Sequence, residues 1–375
     1  MQKVFIAGAG CTPVREHYER GLLDLALAAL GDALDTIPAS RVGALYVGNT
    51  LGDLGADQGQ LGAYIADAAG MAGCEAVRVE AAGASGGAAL RQGYLAVASG
   101  QHELVVVLGV EKVTDKLDAH LQTAQALGLH GEIEAAHGLT TTGAWALLMQ
   151  RYLYEHGVAA EAFAPFAVNA HANAVANPNA LYRFPISRAK WAGAAPVAAP
   201  LNMLDCPTLA DGAAAVVLVS EALARRWEAP AVQILGSAAA TTTVALAQRA
   251  DLLALEAAAR SGAQALAQAG LSRADIDVLE LSDPHGITAV LALEALGYAE
   301  RGAGTRLAAE IGRAGRLPLA IGGGMKARGD VGGAIGVYQI VELVQHLRSS
   351  EAQVALAQCL GGSGSTAVTH ILSRA

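Results

Sequence analysis

The stretch from residue 77 to residue 87, Val-Arg-Val-Glu-Ala-Ala-Gly-Ala-Ser-Gly-Gly, constrains the fold of this chain more than any other feature. Its pattern predicts a short strand, a turn of small residues and a helix that begins near Gly86 and ends near Gly100. Small residues let a backbone approach a ligand closely, and the first turn of a helix presents free N–H groups and a positive dipole end. Such a turn is a suitable place for a nucleophile or an oxyanion, although the pattern alone is more often a plain connection.

Apolar runs and helical periodicity alternate around this stretch. Strands are predicted over residues 4–9, 44–48 and 104–109, and helices over residues 22–34 and 60–69. Alternation of this kind gives a mostly parallel sheet with helices packed on its faces, which is an α/β fold.

The same order of elements begins again in the second half of the chain. Strands are predicted over 232–236, 278–281, 317–321, 352–360 and 366–372, and helices over 254–269, 287–296 and 333–346. The repeated order indicates two duplicated α/β halves, residues 1–225 and 226–375. Between about residues 113 and 200 the strand rhythm stops, apart from a helix over 142–156, which predicts a long loop insertion in the first half that serves as a lid or binding loop.

Composition excludes several classes of function. The net charge is −9 and no block of basic residues occurs, so we expect no nucleic-acid partner. The four cysteines are scattered, which predicts neither a metal site nor a disulfide framework. Because no run of about eighteen apolar residues occurs and the N-terminal apolar run is too short for a signal peptide, we expect a cytoplasmic protein without a membrane partner.

Short motifs follow one another along nearly the whole chain. They lie at residues 77–93, 110–115 (Val-Glu-Lys-Val-Thr-Asp), 177–180 (Asn-Pro-Asn-Ala), 211–214 (Asp-Gly-Ala-Ala), 322–336 and 359–362 (Cys-Leu-Gly-Gly). In this order they resemble the thiolase superfamily, and in particular the archaeal and sterol-carrier-protein-type thiolases. The resemblance implies a five-layered αβαβα fold, an acyl-CoA thioester substrate, coenzyme A as part of that substrate with no other bound cofactor, and at least a homodimer.

The resemblance also implies catalytic residues, and three of those four positions differ here. The family places a nucleophilic cysteine at the turn, where this chain has Gly83, so no acyl-enzyme can form at that position. The family's Gly-His-Pro motif is Gly-Asp-Val in this chain, so Asp330 replaces the histidine that binds the thioester oxygen. Ser282 stands where an asparagine or histidine completes the oxyanion hole. Cys359 is retained and matches the cysteine that shuttles the α-proton.

Asp330, His285 and Cys359 are therefore the candidate catalytic residues, because each can transfer a proton once burial has set its pKa. Each also has a plain structural interpretation: a helix cap for Asp330, a helix-start histidine for His285 and a small buried side chain for Cys359. The candidate substrate-binding residues are Gly83, Ser85, Ser282, His137, Gly361, Gly362 and Arg183, the last as a ligand of a CoA phosphate.

Three functions are compatible with these substitutions. The first is an aldolase-like enzyme that breaks or forms a carbon–carbon bond next to a CoA thioester without an acyl-enzyme, acting with a small OB-fold zinc-ribbon protein as some thiolase-like aldolases do. The second is a catalytically silent subunit of a heteromeric acyl-transfer complex. The third is an acetyl-CoA C-acyltransferase with an unconventional mechanism, against which Gly83 argues.

Overall fold

A computed structural model describes residues 2–226 and 232–375. The strands are β1 (Val4–Cys11), β2 (Ala44–Gly48), β3 (Glu75–Val79), β4 (Leu104–Glu111), β5 (Pro196–Ala198), β6 (Leu201–Asn202), β7 (Gly212–Ser220), β8 (Val232–Thr241), β9 (Val278–Leu281), β10 (Val354–Gly361) and β11 (Thr366–Arg374). The α-helices are α1 (Leu22–Leu34), α2 (Gly52–Gly55), α3 (Leu61–Ala68), α4 (Ser85–Ala98), α5 (Asp118–Ala126), α6 (Thr141–His156), α7 (Ala164–Ala174), α8 (Arg188–Ala192), α9 (Glu221–Ala224), α10 (Glu256–Ala269), α11 (Gly286–Ala295) and α12 (Ile335–Ser349).

Nine of the strands form one continuous sheet in the order β3-β2-β4-β7-β1-β8-β11-β10-β9. The first five come from the first half of the chain and the last four from the second. The two halves join through the antiparallel pairing of β1 with β8. Within the halves β2 pairs in parallel with β3 and β4, and β9 pairs in parallel with β10. The remaining pairs within the halves are antiparallel: β1 with β7, β4 with β7, β8 with β11, and β10 with β11. The prediction of a mostly parallel sheet is therefore wrong, because hairpin-type pairings around β7 and β11 outnumber the parallel crossovers.

Helices α4 and α12 form the central layer of the molecule. They pack against each other, and each contacts strands of both halves, whereas α1 packs on β1 and β7 and α10 packs on β8 and β11. The two halves of the continuous sheet therefore form two layers, with α4 and α12 between them and α1 and α10 outside. This order of helix, sheet, helix, sheet and helix confirms the five-layered α/β prediction. Strands β4 and β7 are buried along their whole length, as expected for strands with helices on both faces.

The insertion in the first half differs from the predicted loop because it is largely helical. It holds α5, α6, α7 and α8, and α7 places Asn169 and His171 on a packed helix instead of in a polar loop. Alanines and Phe166 fill the buried face of α7, so tertiary packing stabilises a helix whose sequence periodicity is weak. The strand predicted over 317–321 is reduced to one parallel bridge between Leu279 and Leu319.

The predicted boundary between residues 225 and 226 falls in the connection from α9 to β8, part of which lies outside the described residues, and it stays a prediction. None of the helices in the described ranges is both long and apolar enough to cross a lipid bilayer.

Candidate active site

A cleft of about 400 Å³ opens where the predicted nucleophile turn meets the second half of the chain. Five of the residues predicted from the sequence line it: Gly83, Ser282, His285, Asp330 and Gly362. Its apolar lining includes Leu54, Leu127, Trp145, Leu209, Met325 and Leu360. Polar and charged side chains line the rest of the cleft, including Asp53, Arg78 and Glu80. A cleft that combines apolar walls with placed polar groups is the usual form of a small-molecule site.

The turn at Gly83 has no room for a side chain. A Cβ atom built on Gly83 would lie 2.7 Å from the carbonyl oxygen of Leu360, closer than carbon and oxygen approach in proteins. The Leu360 backbone is anchored, because its N–H donates to Ser282 Oγ (2.9 Å) and the residue pairs with Ala367 across the β10–β11 ladder. At the position of the family's nucleophile this chain therefore has no sulfur atom, and the Leu360 backbone leaves no space for a side chain.

Ser85 supports this turn from inside the protein and does not line the cleft. Its Oγ donates to the Ala82 carbonyl at 2.6 Å and accepts the Ala81 N–H at 2.9 Å. A third neighbour, Thr50 Oγ1, lies 3.0 Å away. These hydrogen bonds stabilise Ala82 in its left-handed conformation (φ 49°). Because the Ser85 hydroxyl is occupied by them, it is not available to bind a substrate.

Asp330 presents a carboxyl group to the cleft from a fixed backbone. Its N–H donates to the Thr208 carbonyl at 2.9 Å, and its carbonyl accepts the Ala210 N–H at 2.9 Å. The side-chain Oδ1 accepts the Gly332 N–H at 2.9 Å, and no hydrogen bond from the described part of the chain reaches Oδ2. Burial raises the pKa of Asp330, and the Gly332 N–H and the nearby Arg328 oppose that rise.

His285 precedes α11 and is almost fully buried at the wall of the same cleft. Its Nδ1 lies 3.2 Å from the Asp205 carbonyl oxygen, which can only accept a hydrogen bond, so Nδ1 carries the proton. Burial lowers the pKa of His285 to about 4, and the cationic Lys326 acts in the same direction while the Asp205 carbonyl opposes it. His285 is therefore a neutral imidazole near pH 7, and its Nε2 holds a lone pair.

Ser282 is a structural link as well as a cleft residue. Its N–H donates to the Gln358 carbonyl at 2.9 Å, and its Oγ accepts the Leu360 N–H. No hydrogen bond joins Ser282 to His285 among the residues that the structure describes. A serine nucleophile needs such a bond to a base, so Ser282 does not replace the missing cysteine.

Cys359, which the sequence predicts as a catalytic residue, does not line the cleft, and its catalytic role stays a prediction. Side chains alternate along a strand, so Leu360 faces the cleft and Cys359 faces the central helices. The Cys359 Sγ lies 3.8 Å from the Ala84 carbonyl oxygen and 3.9 Å from that of Val368. Burial raises the pKa of this thiol to about 12, which makes it a neutral packed side chain.

Three other candidates lie outside the cleft lining. His137 and Arg183 are exposed, and Gly361 packs against the Ala81 carbonyl oxygen, which a Cβ at this position would approach to 2.4 Å. Among the described residues, the Lys or Arg side chain that lines the cleft is Arg78, on the edge strand β3. Its guanidinium donates to the Asp53 carboxylate and to the carbonyls of Asn49 and Thr50.

Thr288 was missed by the sequence reasoning. It lines the cleft and follows His285 by three residues. Residues three apart lie on one face of a helix, so this spacing is the signal that could have identified Thr288 as a neighbour of His285 in the cleft. Within residues 2–226 and 232–375 no group of three or more His, Cys, Asp or Glu side chains is arranged to hold a metal ion.

Comparison with known proteins gives the family. A profile described as "Thiolase, N-terminal domain" matches residues 4–186, and one described as "Thiolase C-terminal domain-like" matches residues 238–374. The acetyl-CoA acetyltransferase of Methanothermobacter thermautotrophicus is 37% identical over 386 residues, covering 100% of both chains. The chain belongs to the thiolase superfamily.

Among other members of the thiolase superfamily, two relatives carry the name of aldolase. The steroid side-chain-cleaving aldolase of Thermomonospora curvata is 30% identical over 365 residues, covering 91% of this chain and 90% of that protein. The solved structure of the Ltp2-ChsH2(DUF35) aldolase superposes with a TM-score of 0.84 at 25% identity, covering 100% of this chain and 98% of that one. The similar proteins therefore include both an acetyltransferase and aldolases. The residues of the cleft are the evidence that favours one of these two activities over the other.

Proposed function

We propose that this thiolase-superfamily protein breaks or forms a carbon–carbon bond next to the thioester of an acyl-CoA, as an aldolase-like enzyme without an acyl-enzyme intermediate. The observation that carries the proposal is the closed turn at Gly83, where the Leu360 carbonyl occupies the space of a nucleophile. Among the described residues that line the cleft, none is a cysteine. The likeness to proteins named as aldolases supports the same reaction type.

Asp330 and His285 are the two proton-transfer groups of this proposal. Aldol cleavage of a 3-hydroxyacyl thioester removes the hydroxyl proton and returns a proton to the α-carbon. A buried carboxyl with a raised pKa and a neutral imidazole with a free lone pair are suited to these two steps. Asp330 replaces a histidine, so an ordinary thioester condensation loses its oxygen donor while acid and base chemistry is kept.

The thioester enolate would form between two helix ends. Helix α4 begins at Ser85, two residues after Gly83, and α11 begins at Gly286, directly after His285. The N–H groups of Ala84 and Ser85 already donate to the carbonyls of Ala81 and Ala82, so the proposal relies on the positive dipole ends of the two helices, which favour an anionic oxygen nearby. These dipole ends are the proposed substitute for the lost oxyanion residues.

A homodimer and a second protein are the proposed partners. Strand β3 forms one edge of the nine-stranded sheet and Val77 on it is 43% exposed, so its edge is available for pairing with a second copy. The aldolase whose structure matches is named for two components, Ltp2 and ChsH2(DUF35). The second protein proposed here is a small OB-fold zinc-ribbon protein.

The experiment measures release of an aldehyde or ketone from 3-hydroxyacyl-CoA esters by hydrazone trapping, alone and with any protein encoded beside this one. We expect carbonyl release without a mass increase of the protein. His285→Asn keeps an N–H for the Asp205 carbonyl but removes Nε2, and we expect it to lower the rate about 100-fold or more. His137→Asn is the matched control, since His137 is exposed and outside the cleft lining, and it should keep the wild-type rate.

Two results contradict the proposal. A stable acetyl adduct after incubation with acetyl-CoA would restore the acyltransferase function named for the archaeal relative. Absence of carbonyl release, together with tight binding to an active thiolase-like partner, would make this chain a silent subunit, a function that the closed Gly83 turn also allows.

A further inference from the structure

We propose that Thr288 and His285 together bind the 3-hydroxyl group of the substrate, and that this pair selects 3-hydroxyacyl thioesters over 3-oxoacyl and saturated ones. The inference rests on the proposed function and adds the residues that distinguish its 3-hydroxyacyl substrate from other esters. It assigns to Thr288 a role in specificity.

The Thr288 hydroxyl is an unused polar group beside the cleft. The side chain is fully buried, and its Oγ1 has no hydrogen-bond partner among residues 2–226 and 232–375. Within those ranges, no other cleft-lining residue carries a side-chain polar atom that is both fully shielded from solvent and without a partner. A buried hydroxyl without a hydrogen-bond partner destabilises the folded protein. A ligand in the cleft that bonds to the Thr288 hydroxyl would remove this cost.

His285 complements Thr288 because its accessible nitrogen is an acceptor. The hydrogen bond from Nδ1 to the Asp205 carbonyl fixes the proton on Nδ1 and leaves the lone pair on Nε2. The first turn of α11 links the two residues, since the Thr288 N–H donates to the His285 carbonyl at 3.0 Å. The cleft lining therefore contains an acceptor and, three residues later, a shielded hydroxyl that rotation about the Thr288 Cα–Cβ bond would bring into contact with a ligand.

A hydroxyl group satisfies both residues, and a ketone does not. The substrate O–H donates to His285 Nε2 while its oxygen accepts the Thr288 O–H. A 3-oxo group has no proton for Nε2, and a saturated chain leaves both residues unpartnered. Sites built to hydrogen-bond a substrate hydroxyl reject analogues without it strongly, because buried polar groups are then left unpaired.

This arrangement also divides the proton transfers. In cleavage, the O–H bond breaks and its proton passes to His285 Nε2, while the O–H electron pair forms the carbonyl of the released aldehyde or ketone. The bond between the α- and β-carbons breaks with its pair going to the thioester enolate, and the Asp330 carboxyl gives its proton to the α-carbon. His285 then loses the proton to solvent and Asp330 regains one, so the protein returns to its starting state.

The test is an equilibrium measurement with three probes of equal chain length: 3-hydroxybutyryl-CoA, acetoacetyl-CoA and butyryl-CoA. The Asp330→Asn variant is the parent, so that turnover does not consume the ester. We expect the parent to bind the hydroxy ester about tenfold or more tightly than either of the others. Thr288→Val removes the hydroxyl at nearly constant shape and should reduce the preference for the hydroxy ester over the saturated ester several-fold, because only the His285 acceptor remains. Thr288→Ser should keep the preference.

Thermal unfolding separates recognition from structure. Because Thr288 Oγ1 has no partner, Thr288→Val should unfold at the same or a higher temperature than its parent. Ser237→Ala is the matched control, since Ser237 Oγ is also buried without a partner but lies outside the cleft lining, and it should leave the Kd ratio unchanged.

The outcomes are distinguishable. A Kd ratio near one in the parent, or a ratio that Thr288→Val does not change, overturns the inference and leaves the proposed function to its own test of carbonyl release. A loss of thermal stability in Thr288→Val with no change in the ratio shows a purely structural threonine. Failure of all three esters to bind overturns the inference and the proposed function together.

Discussion

Substitution of Gly83 by alanine adds one carbon atom at the family's nucleophile position, where the Leu360 backbone leaves no space for it. The added Cβ would lie 2.7 Å from the Leu360 carbonyl oxygen, and this contact is with backbone. Relief requires the end of β10 to move, but the Leu360 N–H is held by Ser282 Oγ and the residue pairs with Ala367. We therefore expect a penalty typical of overpacking, about 1–3 kcal/mol in the free energy of unfolding.

A second glycine provides the control. Gly31 lies inside α1, and a Cβ there would meet no atom within 4 Å. Alanine at position 31 should stabilise the helix by about 0.5–1 kcal/mol, because glycine loses more backbone entropy on folding. The two variants thus carry the same added atom and should shift stability in opposite directions, by about 1.5–4 kcal/mol in total.

The assay is chemical and thermal unfolding of both variants at one protein concentration, because the unfolding midpoint of any protein that assembles depends on its concentration. Gly83→Cys extends the test to chemistry. Its Cβ would meet the same Leu360 oxygen, so the thiol cannot be held in position for attack on a thioester, and we expect no acetyl adduct after incubation with acetyl-CoA. Wild-type stability of Gly83→Ala combined with rapid acylation of Gly83→Cys would refute the reasoning, because it would show that the position is open.

Three further predictions concern buried titratable groups. Asp330→Asn should lower carbonyl release about 100-fold or more, yet raise the unfolding temperature relative to wild type more at pH 8 than at pH 4, because a carboxyl whose pKa is raised in the folded state costs stability as pH rises through that pKa. Cys359→Ala should keep the rate within about threefold, in contrast to the family's proton shuttle, while lowering stability by about 1 kcal/mol through the lost packing of Sγ; a loss of activity comparable with that of Asp330→Asn would return Cys359 to the mechanism. Burial lowers the pKa of His370 to about 4, so this group should lower wild-type stability by up to about 1.4 kcal/mol per pH unit as the pH drops from about 6.5 toward 4. His370→Gln keeps an N–H for the Gly87 carbonyl and should show a shallower decline in unfolding midpoint over that range.

Local patterns were sufficient to predict much of the fold. The bounds predicted for α1, β2 and β9 agree with the structure at both ends, because each has a periodicity or an apolar run that is interrupted sharply by polar residues, glycine or proline. The insertion was harder, since α5 and α7 have weakly amphipathic sequences and become helical through contacts with distant parts of the chain. The 317–321 segment shows the reverse case, in which an apolar run forms only one bridge to a neighbouring strand.

The sequence by itself determined which chemical groups this protein has: a turn without sulfur at Gly83, an acid at Asp330 and a histidine at His285. Only the tertiary structure decided which of them meet, because the turn, the end of β10 and the start of α11 are far apart in the chain and are brought together by the central helix layer. It turned Cys359 away from the cleft through the alternation of β10, placed the Leu360 carbonyl against Gly83, and left Thr288 without a partner. Hydrogen-bond direction and steric closure depend on these long-range contacts, and no local pattern in the sequence records them.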